Sequence, residues 1–174
     1  MNNYEKPQFA FFKGKIVPIT EAKIDIRTNA LQYGIAVFEG IRSYYNINEK
    51  CNYVFRMQEH YKRLLKNANI IMMNIKYSID ELCQITKEFL KKEDYKEDAY
   101  IRPFAYNSGL KIGPKLVDIE QDLFIYSIPL GEYLDLNKAI SVCVSSWTRL
   151  PDNCIPPRAK IAGSYVNSAL QKTE

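Results

Sequence analysis

The sequence of 174 residues predicts an α+β fold whose first part is a small domain of antiparallel sheet with two helices. The order of the predicted elements supports this prediction, because strands come first, two helices follow, and further strands come after them. A regular alternation of strands and helices, which is typical of a parallel sheet, is not found. We expect the small domain to cover residues 1–130, a linker to cover 131–137, and residues 138–174 to begin a second, α/β domain.

The N-terminal strands are indicated by short apolar runs between turn residues. A glycine turn at Gly14 separates an apolar run from its return strand, which is typical of a hairpin. A short helical segment is predicted within residues 30–38, where Leu31, Ile35 and Phe38 have helical spacing. The strands predicted in this part of the chain cover residues 9–12, 16–18, 40–45 and 53–56.

Two helices are predicted next, each from a different signal. Over residues 57–72 an apolar stripe repeats at i, i+3 and i+4, formed by Tyr61, Leu64, Leu65 and Ala68. The second helix begins at the segment from Ser78 to Glu81, which has the form of a capping box, and continues to about Lys92. The strands predicted after the helices cover residues 99–106, 122–128 and 140–146, the last of them in the second domain.

Composition and charge exclude several classes of function. The formal net charge is +4 and is spread along the chain, without an arginine cluster interleaved with aromatic residues, so nucleic-acid binding is not indicated. The apolar runs are too short to span a membrane. Nothing at the N-terminus resembles a signal peptide, which predicts a cytoplasmic protein with reduced thiols. No cysteine pair has the spacing of a metal site, and His60 is the single histidine, so we expect no metal and no histidine-activated nucleophile.

Lys160 is the first candidate for a catalytic residue. It lies between Ala159 and Gly163, among small residues, and five residues before Tyr165. Burial disfavours the charged form of a lysine, and an uncharged amine reacts with an aldehyde to form a Schiff base. Small neighbours allow a flat ring to lie close to the backbone, where Tyr165 can bond to a phenolic oxygen. Taken alone, however, the segment is more typical of a solvated lysine.

Three further segments contain candidate binding residues, and each has a simpler alternative. The run over residues 33–42 contains two glycines around an aromatic–acidic pair, which also suits ordinary helix-to-strand packing. Arg63 lies beside the apolar stripe of its helix and can clamp a phosphate, or else pair with Glu59 at i and i+4. Tyr100 and Arg102 project from one face of a strand and suit a carboxylate, although a cross-strand ion pair explains them equally well.

Together and in this order, these segments resemble the class IV fold of pyridoxal-phosphate enzymes, and most closely the branched-chain amino acid aminotransferases. The resemblance runs from about Phe11 to the C-terminal end without a large gap. D-amino-acid aminotransferases and aminodeoxychorismate lyases share the lysine and the phosphate arginine but usually lack the Phe-Glu-Gly-Ile-Arg run. The matching segments are Tyr33-Gly34, Phe38-Glu-Gly-Ile-Arg42, Phe55-Arg56, Glu59-His60, Arg63-Leu64, Tyr100-Ile-Arg-Pro103, Gly131-Glu-Tyr133, Ser145-Ser-Trp147, Ile155-Pro156, Ala159-Lys160 and Tyr165.

The resemblance implies a role for several of the matching residues. Lys160 corresponds to the lysine that binds pyridoxal 5′-phosphate as a Schiff base and moves the proton at the substrate Cα. Arg63 corresponds to the arginine that contacts the cofactor phosphate, and Tyr165 to the tyrosine near the cofactor O3′. The substrate-binding residues that it implies are Tyr33, Phe38, Gly40, Tyr100, Arg102 and Tyr133.

The implied reaction is transamination of leucine, isoleucine and valine with 2-oxoglutarate. Phe38, Tyr33 and Tyr133 are expected to wall the side-chain pocket, and Tyr33 to reach the site of a neighbouring subunit. Arg102 and Tyr100 are expected to bind the γ-carboxylate of glutamate. The resemblance also implies a homodimer or larger homo-oligomer, with small amino acids and 2-oxo acids as the other partners.

The sequence departs from the family pattern in two respects. Leu130 stands where many members have tryptophan, which leaves the width of the pocket open. The family's second domain supplies a carboxylate for the pyridine nitrogen and backbone N–H groups for the phosphate, and the chain stops at Glu174 before these parts. We therefore expect the chain alone to be an inactive fragment, and detectable transamination by it would refute this expectation.

Two alternatives remain open at this stage. The first is another class IV enzyme, such as a D-amino-acid transaminase, which would differ in the chirality of its substrate. The second is a truncated, non-catalytic module for binding or dimerisation. The presence of Lys160, Arg63 and Tyr165 argues against the module, because a protein without the cofactor has no obvious need for all three.

Overall fold

The computed structural model describes residues 7–130 and 138–173, and it consists of an antiparallel sheet with helices packed against it. The strands are β1 (Phe9–Phe12), β2 (Lys15–Pro18), β3 (Ala36–Phe38), β4 (Ile41–Asn46), β5 (Cys51–Val54), β6 (Ala99–Asn107) and β7 (Gln121–Pro129). The α-helices are α1 (Asn29–Tyr33), α2 (Met57–Ile70), α3 (Ile79–Glu93) and α4 (Tyr165–Thr173). The α+β class predicted from the sequence is confirmed, and so is the N-terminal hairpin.

The sheet is built around β6. The strand order is β2-β1-β7-β6-β4-β5, and neighbouring strands pair in antiparallel fashion. β7 pairs with β6 along its whole length, from Ala99 opposite Pro129 to Asn107 opposite Gln121. The other side of β6 is shared, because β3 pairs with one half of it and β4 with the other. This division leaves a break between β3 and β4.

Pro103 lies inside β6 opposite that break. β3 pairs with β6 as far as Phe104, and β4 pairs with β6 as far as Ile101. A proline cannot donate to a strand ladder, so it is tolerated where pairing is interrupted. The Pro103 carbonyl accepts a hydrogen bond from the Glu39 N–H at 3.0 Å. This bond fixes Glu39 between the two strands.

Both long helices have the signals predicted from the sequence. The apolar stripe of α2 is buried, with Tyr61, Leu64 and Ala68 almost inaccessible. α3 begins with a capping box, in which the Ser78 hydroxyl accepts from the Glu81 N–H at 3.2 Å and the Glu81 carboxylate accepts from the Ser78 N–H at 2.7 Å. Each helix therefore starts and faces the sheet as its sequence dictates.

The core lies between the sheet and these two helices. Ala159 and Ile161, which come after residue 137, join the same core. The largest fully buried apolar side chains are Tyr61, Tyr106, Phe89, Ile41, Leu64, Met73, Leu82, Ile101, Leu123, Ile125 and Val37. Among the residues that the structure describes, no helix combines the length and apolar character needed to cross a bilayer.

The segment 30–38 is helical only in its first part. α1 ends at Tyr33, and Gly34 then adopts a φ of 67°, in the left-handed region. Glycine ends helices in this way because it has no Cβ to clash there. The chain continues as β3, so the helical spacing of Ile35 and Phe38 does not reflect a helix.

The strand predicted at residues 140–146 is wrong. In the described part of the chain these residues form no strand and pair with none. Ile140, Val142 and Val144 are 77%, 83% and 99% exposed. Such β-branched residues favour a half-buried pleated surface, and without a neighbouring strand their backbone has no ladder partner. The predicted linker at 131–137 lies outside the described residues.

Candidate active site

The Lys160 segment is attached to β3 through its backbone. Val37 and Ile161 form an antiparallel bridge, and the Phe38 N–H donates to the Lys160 carbonyl at 3.2 Å. The Gly163 N–H donates to the Gly34 carbonyl, also at 3.2 Å. A Cβ at Gly34 would lie 2.8 Å from the Gly163 Cα, so this close approach requires glycine.

The Lys160 amine lies beside two aromatic rings. Its Nζ donates a hydrogen bond to the Tyr165 hydroxyl at 2.9 Å and lies 5.4 Å from the centre of the Phe38 ring. The side chain is partly buried, so the enclosed pocket expected from the sequence is only partly formed. Lys160 and Tyr165 line a cavity of about 490 Å³, together with Ser164 and Asn167.

Phe38 connects the lysine to Arg102. The guanidinium carbon of Arg102 lies 4.4 Å from the centre of the Phe38 ring, which is a cation–π distance. The Tyr165 ring lies 4.8 Å from the same Phe38 ring. Phe38 is therefore in contact with a catalytic candidate and with a substrate candidate.

Arg102 and Tyr100 lie on the same face of β6, as the alternation of side chains predicts. Arg102 Nη2 donates to the Tyr100 hydroxyl at 2.8 Å. The residue opposite Arg102 on β7 is Tyr126, so the cross-strand ion pair considered as an alternative is not formed there. The Arg102 Nε–H is buried and has no partner among the described residues. An unpaired buried donor is costly, and an anionic ligand is one means of satisfying it.

Gly40 is required by the position of Tyr100. A Cβ at Gly40 would lie 2.7 Å from Cζ and 2.9 Å from Cε2 of the Tyr100 ring. These distances are shorter than any ordinary van der Waals contact. The glycine therefore leaves the space that the tyrosine fills beside Arg102.

Arg63 pairs with Glu39 and not with Glu59. Its Nε donates to Glu39 Oε1 at 2.5 Å and its Nη2 to Oε2 at 2.6 Å, which is a bidentate pair. Glu59 instead accepts from Arg56 at 3.0 Å. The surface ion pair considered as an alternative for Arg63 is therefore wrong.

The Glu39 carboxyl is buried and charged. Its side chain is 0% exposed, and His60 Nδ1 lies 2.9 Å from Oε2. Burial acts to raise the pKa of Glu39, but the hydrogen bonds from Arg63 and His60 outweigh burial and hold this pKa below its usual value. The same hydrogen bond raises the pKa of Arg63, and electrostatic interaction with Tyr165 adds to that rise.

One predicted substrate residue, Tyr33, lies outside this cluster of contacts. The Tyr33 hydroxyl accepts a hydrogen bond from the Gly113 N–H at 3.0 Å, in the segment between β6 and β7. Tyr133 lies outside the described residues. The residues that the structure brings together are Lys160, Tyr165, Phe38, Gly40, Tyr100 and Arg102. Arg63 is linked to them through Glu39, the residue after Phe38.

Glu39 and His60 are the residues of this region to which sequence reasoning assigned no role. A signal was present for each of them. Glu39 is an acidic residue inside an otherwise apolar run, and His60 and Arg63 are separated by three residues, which places them on one face of a helix. Buried acidic residues are rare unless they are paired, so an acidic residue in an apolar run indicates that a cationic neighbour is needed, without identifying it.

The cluster combines an amine with aromatic surface and arginine side chains. Such a set can react with a carbonyl group, cover a flat ring and bind anionic groups. Among the residues that the structure describes, no group of three His, Cys, Asp or Glu side chains is suited to a metal ion. The chemistry that the side chains of the cluster offer is that of an amine with anion-binding partners.

Comparison with known proteins gives consistent matches over nearly the whole chain. A probable branched-chain-amino-acid aminotransferase of Aquifex aeolicus is 55% identical over 166 residues, which are 95% of this chain and 53% of that protein. The branched-chain-amino-acid aminotransferase of Escherichia coli K12 is 37% identical over 98% of this chain and 55% of its own length. The chain thus spans about half the length of the curated relatives it matches.

Solved structures agree with these matches. A branched-chain aminotransferase from Thermoproteus uzoniensis, solved with norvaline, has a TM-score of 0.88 and 36% identity over 95% of this chain and 55% of that one. A branched-chain amino acid aminotransferase from Thermobaculum terrenum, solved in its PLP-containing holo form, has a TM-score of 0.86, with 36% identity over 95% of this chain and 54% of that one. The family model for class IV aminotransferases matches residues 36–174. This chain belongs to the class IV aminotransferase family.

Proposed function

We propose that this chain belongs to a pyridoxal-phosphate-dependent enzyme that transaminates leucine, isoleucine and valine with 2-oxoglutarate. The observation that carries the proposal is the contact between Lys160 and Tyr165 at 2.9 Å, beside Phe38 and Arg102. The names of the relatives and of the solved structures support the substrate class. Because the chain spans about half of those proteins, the proposal concerns the activity of the whole enzyme.

The residues of the site fit the cofactor. Lys160 offers an amine at the edge of a cavity of about 490 Å³. Arg63 does not line that cavity, but its side chain is half-exposed and is held by Glu39, the residue after Phe38. Pyridoxal phosphate, when bound, supplies an aldehyde for an amine and a ring that withdraws electrons from the substrate Cα. Lys160 would hold the aldehyde end and Arg63 the phosphate end.

We assign to Lys160 the transfer of the proton at the substrate Cα. Its amine accepts this proton and returns it, which requires the nitrogen to be oriented. The hydrogen bond to the Tyr165 hydroxyl fixes that orientation. Phe38 contributes apolar surface on the same side and limits the access of water.

The ability to accept both aliphatic amino acids and glutamate follows from aromatic side chains that surround the pocket and from Arg102 and Tyr100 on β6. Aromatic walls, which we assign to Phe38, Tyr33 and Tyr133, favour aliphatic side chains by about 25 cal/mol per Å² of apolar surface buried. Arg102 has an unpaired, buried Nε–H, which suits the γ-carboxylate of glutamate. The Tyr100 hydroxyl accepts a hydrogen bond from Nη2 of the same guanidinium. One pocket can then accept both kinds of substrate.

A second copy of this chain is the partner that we propose. Exposed apolar side chains lie just before and within α1 and in the segment after β6, and these two parts of the chain are joined by the hydrogen bond from Asn29 to the Lys111 carbonyl at 2.8 Å. Apolar surfaces of this kind are typical of protein interfaces. The exposed apolar residues of this surface are Ile26, Leu31, Leu110, Ile112 and Val117. Tyr33 lies at the end of α1, where a neighbouring subunit would meet it.

Reductive labelling tests the catalytic assignment. The chain is incubated with substoichiometric pyridoxal 5′-phosphate, reduced with borohydride, digested and analysed by mass spectrometry. We expect the label on Lys160 in preference to other lysines, and its loss from that peptide in Lys160→Ala. Lys172→Ala, at an exposed lysine of the same region, should leave the labelling of Lys160 unchanged. Labelling spread evenly over the exposed lysines would contradict the proposal.

A further inference from the structure

We propose that Glu39 is a positioning residue, which with His60 holds the Arg63 guanidinium so that its exposed edge is ready for the cofactor phosphate. This inference rests on the proposed function, because the phosphate contact of Arg63 is part of it. It adds a role for two residues that do not themselves touch the ligand.

The position of Glu39 in the chain makes this role possible. Glu39 follows Phe38 directly and precedes Gly40, so its backbone belongs to the wall of the candidate site. Its N–H is bonded to the Pro103 carbonyl at 3.0 Å, in the break between β3 and β4. The backbone of Glu39 is therefore anchored to the sheet, while its carboxylate bonds to α2.

Both partners of the carboxylate come from one face of α2. His60 and Arg63 are three residues apart, a spacing that brings side chains together on a helix. Oε1 accepts from Arg63 Nε, and Oε2 accepts from Arg63 Nη2 and lies 2.9 Å from His60 Nδ1. The carboxylate thus uses both oxygens, and the guanidinium plane is fixed relative to the sheet.

The exposure of the two partners is unequal, and this difference points to a ligand. Glu39 is 0% exposed, whereas the Arg63 side chain is 50% exposed. Glu39 occupies Nε and one N–H of Nη2, which leaves the Nη1 edge of the fork for another acceptor. A phosphate accepts paired hydrogen bonds from such an edge.

Stability alone does not account for the arrangement. Taking a carboxylate out of water is costly, and a buried ion pair adds little net stability compared with apolar residues of similar volume. A fixed guanidinium, by contrast, loses less side-chain entropy when a ligand binds. A positioning role therefore explains why a charged residue occupies this buried place.

The test compares two ligands that differ only in the phosphate. Dissociation constants of the chain for pyridoxamine 5′-phosphate and for pyridoxamine, neither of which has an aldehyde, are measured by calorimetry, and their ratio isolates the contribution of the phosphate. Glu39→Gln should reduce this phosphate preference about threefold to tenfold, the loss expected when a long side chain must be ordered on binding. Glu93→Gln serves as the matched control, because Glu93 is also buried but accepts from the backbone of Phe9 and Gln8. It should leave the preference unchanged.

Two further variants keep the proposal falsifiable. In an Arg63→Gln background, Glu39→Gln should have no further effect on the preference, because Glu39 acts through Arg63. If Glu39→Gln does not fold, His60→Asn should reduce the preference in the same direction but less. A preference that is unchanged, or that increases because a negative charge has been removed, would overturn the role of Glu39.

The same measurements distinguish failure of the proposed function from failure of the positioning role of Glu39. If the wild-type chain binds the two ligands equally well, the phosphate contact assigned to Arg63 is wrong, and the role of Glu39 falls with it. If the wild-type chain prefers the phosphorylated ligand and Glu39→Gln retains that preference in full, only the positioning role is wrong.

Discussion

Individual side chains decide the geometry of this site. Phe38 is in contact with Tyr165 and Arg102, whereas the next residue, Glu39, is bonded to Arg63. Phe38 is the last residue of β3 and Glu39 follows it in the break before β4, so one short segment serves both groups. The sequence predicts Phe38, Arg63 and Arg102 by their chemistry, but it does not predict that Glu39 joins them, because that pairing spans 24 positions.

Gly40→Ala tests the packing of Tyr100. The added methyl group would collide with the Tyr100 ring, and overpacking of this kind costs about 1–3 kcal/mol of the free energy of unfolding. Tyr100→Phe in the same chain should relieve only the part due to the hydroxyl. Gly163→Ala is the control, since its nearest neighbour would be at 3.4 Å. Chemical denaturation measures all three, and equal destabilisation by Gly40→Ala and Gly163→Ala would contradict the account.

The pH dependence of stability should differ in sign between two buried carboxyls. The pKa of Glu39 is lowered from 4.5, so its ionised form stabilises the fold above that pH, and the contribution is lost as the pH falls through the folded pKa. Burial raises the pKa of Glu93 despite bonds from Phe9 and Gln8, so its contribution is present at low pH and is lost as the pH rises.

The two glutamine variants measure this difference. Between about pH 3 and pH 7, the stability gap between wild type and Glu39→Gln should widen as the pH rises. Over the same range Glu93→Gln should become more stable relative to wild type. Denaturation curves at each pH give the free energies of unfolding, and parallel trends for the two variants would rule out the assigned pKa directions.

At the scale of elements, local signals predict what forms locally. The capping box of α3 and the stripe of α2 are confirmed because each depends on residues within a few turns. The run at 140–146 has equally clear strand character, yet it forms no strand in the described part of the chain. A strand requires a partner, and the sequence of the run cannot supply one.

Hydrogen exchange should distinguish the backbone contacts between the Lys160 segment and the region around β3 from the unpaired run at residues 140–146. The amide of Gly163 donates to the Gly34 carbonyl and the amide of Phe38 donates to the Lys160 carbonyl, so both should exchange slowly. The amides of residues 140–146 should exchange rapidly, because their side chains are exposed and no ladder holds them. Strong protection of residues 140–146 in a monomer would show that this segment has a partner that the account lacks.

At the scale of the whole molecule, the class IV resemblance drawn from the sequence is confirmed, and the fold class with it. The candidate residues were recognised by their order along the chain, which is retained over nearly all of its length. Burial, pairing and close approach were harder to predict, since they arise only when β3, β6 and α2 come together. The Gly34–Gly163 contact is an example, because nothing local links two glycines so far apart.

Lys160 is the amine that we propose to meet the cofactor. The most direct measurement is a crystal structure of the chain soaked with pyridoxal 5′-phosphate. We expect continuous electron density from the Lys160 side chain to the ring, with the phosphate against the outer edge of Arg63. A cofactor bound to another lysine, or a phosphate remote from Arg63, would contradict it.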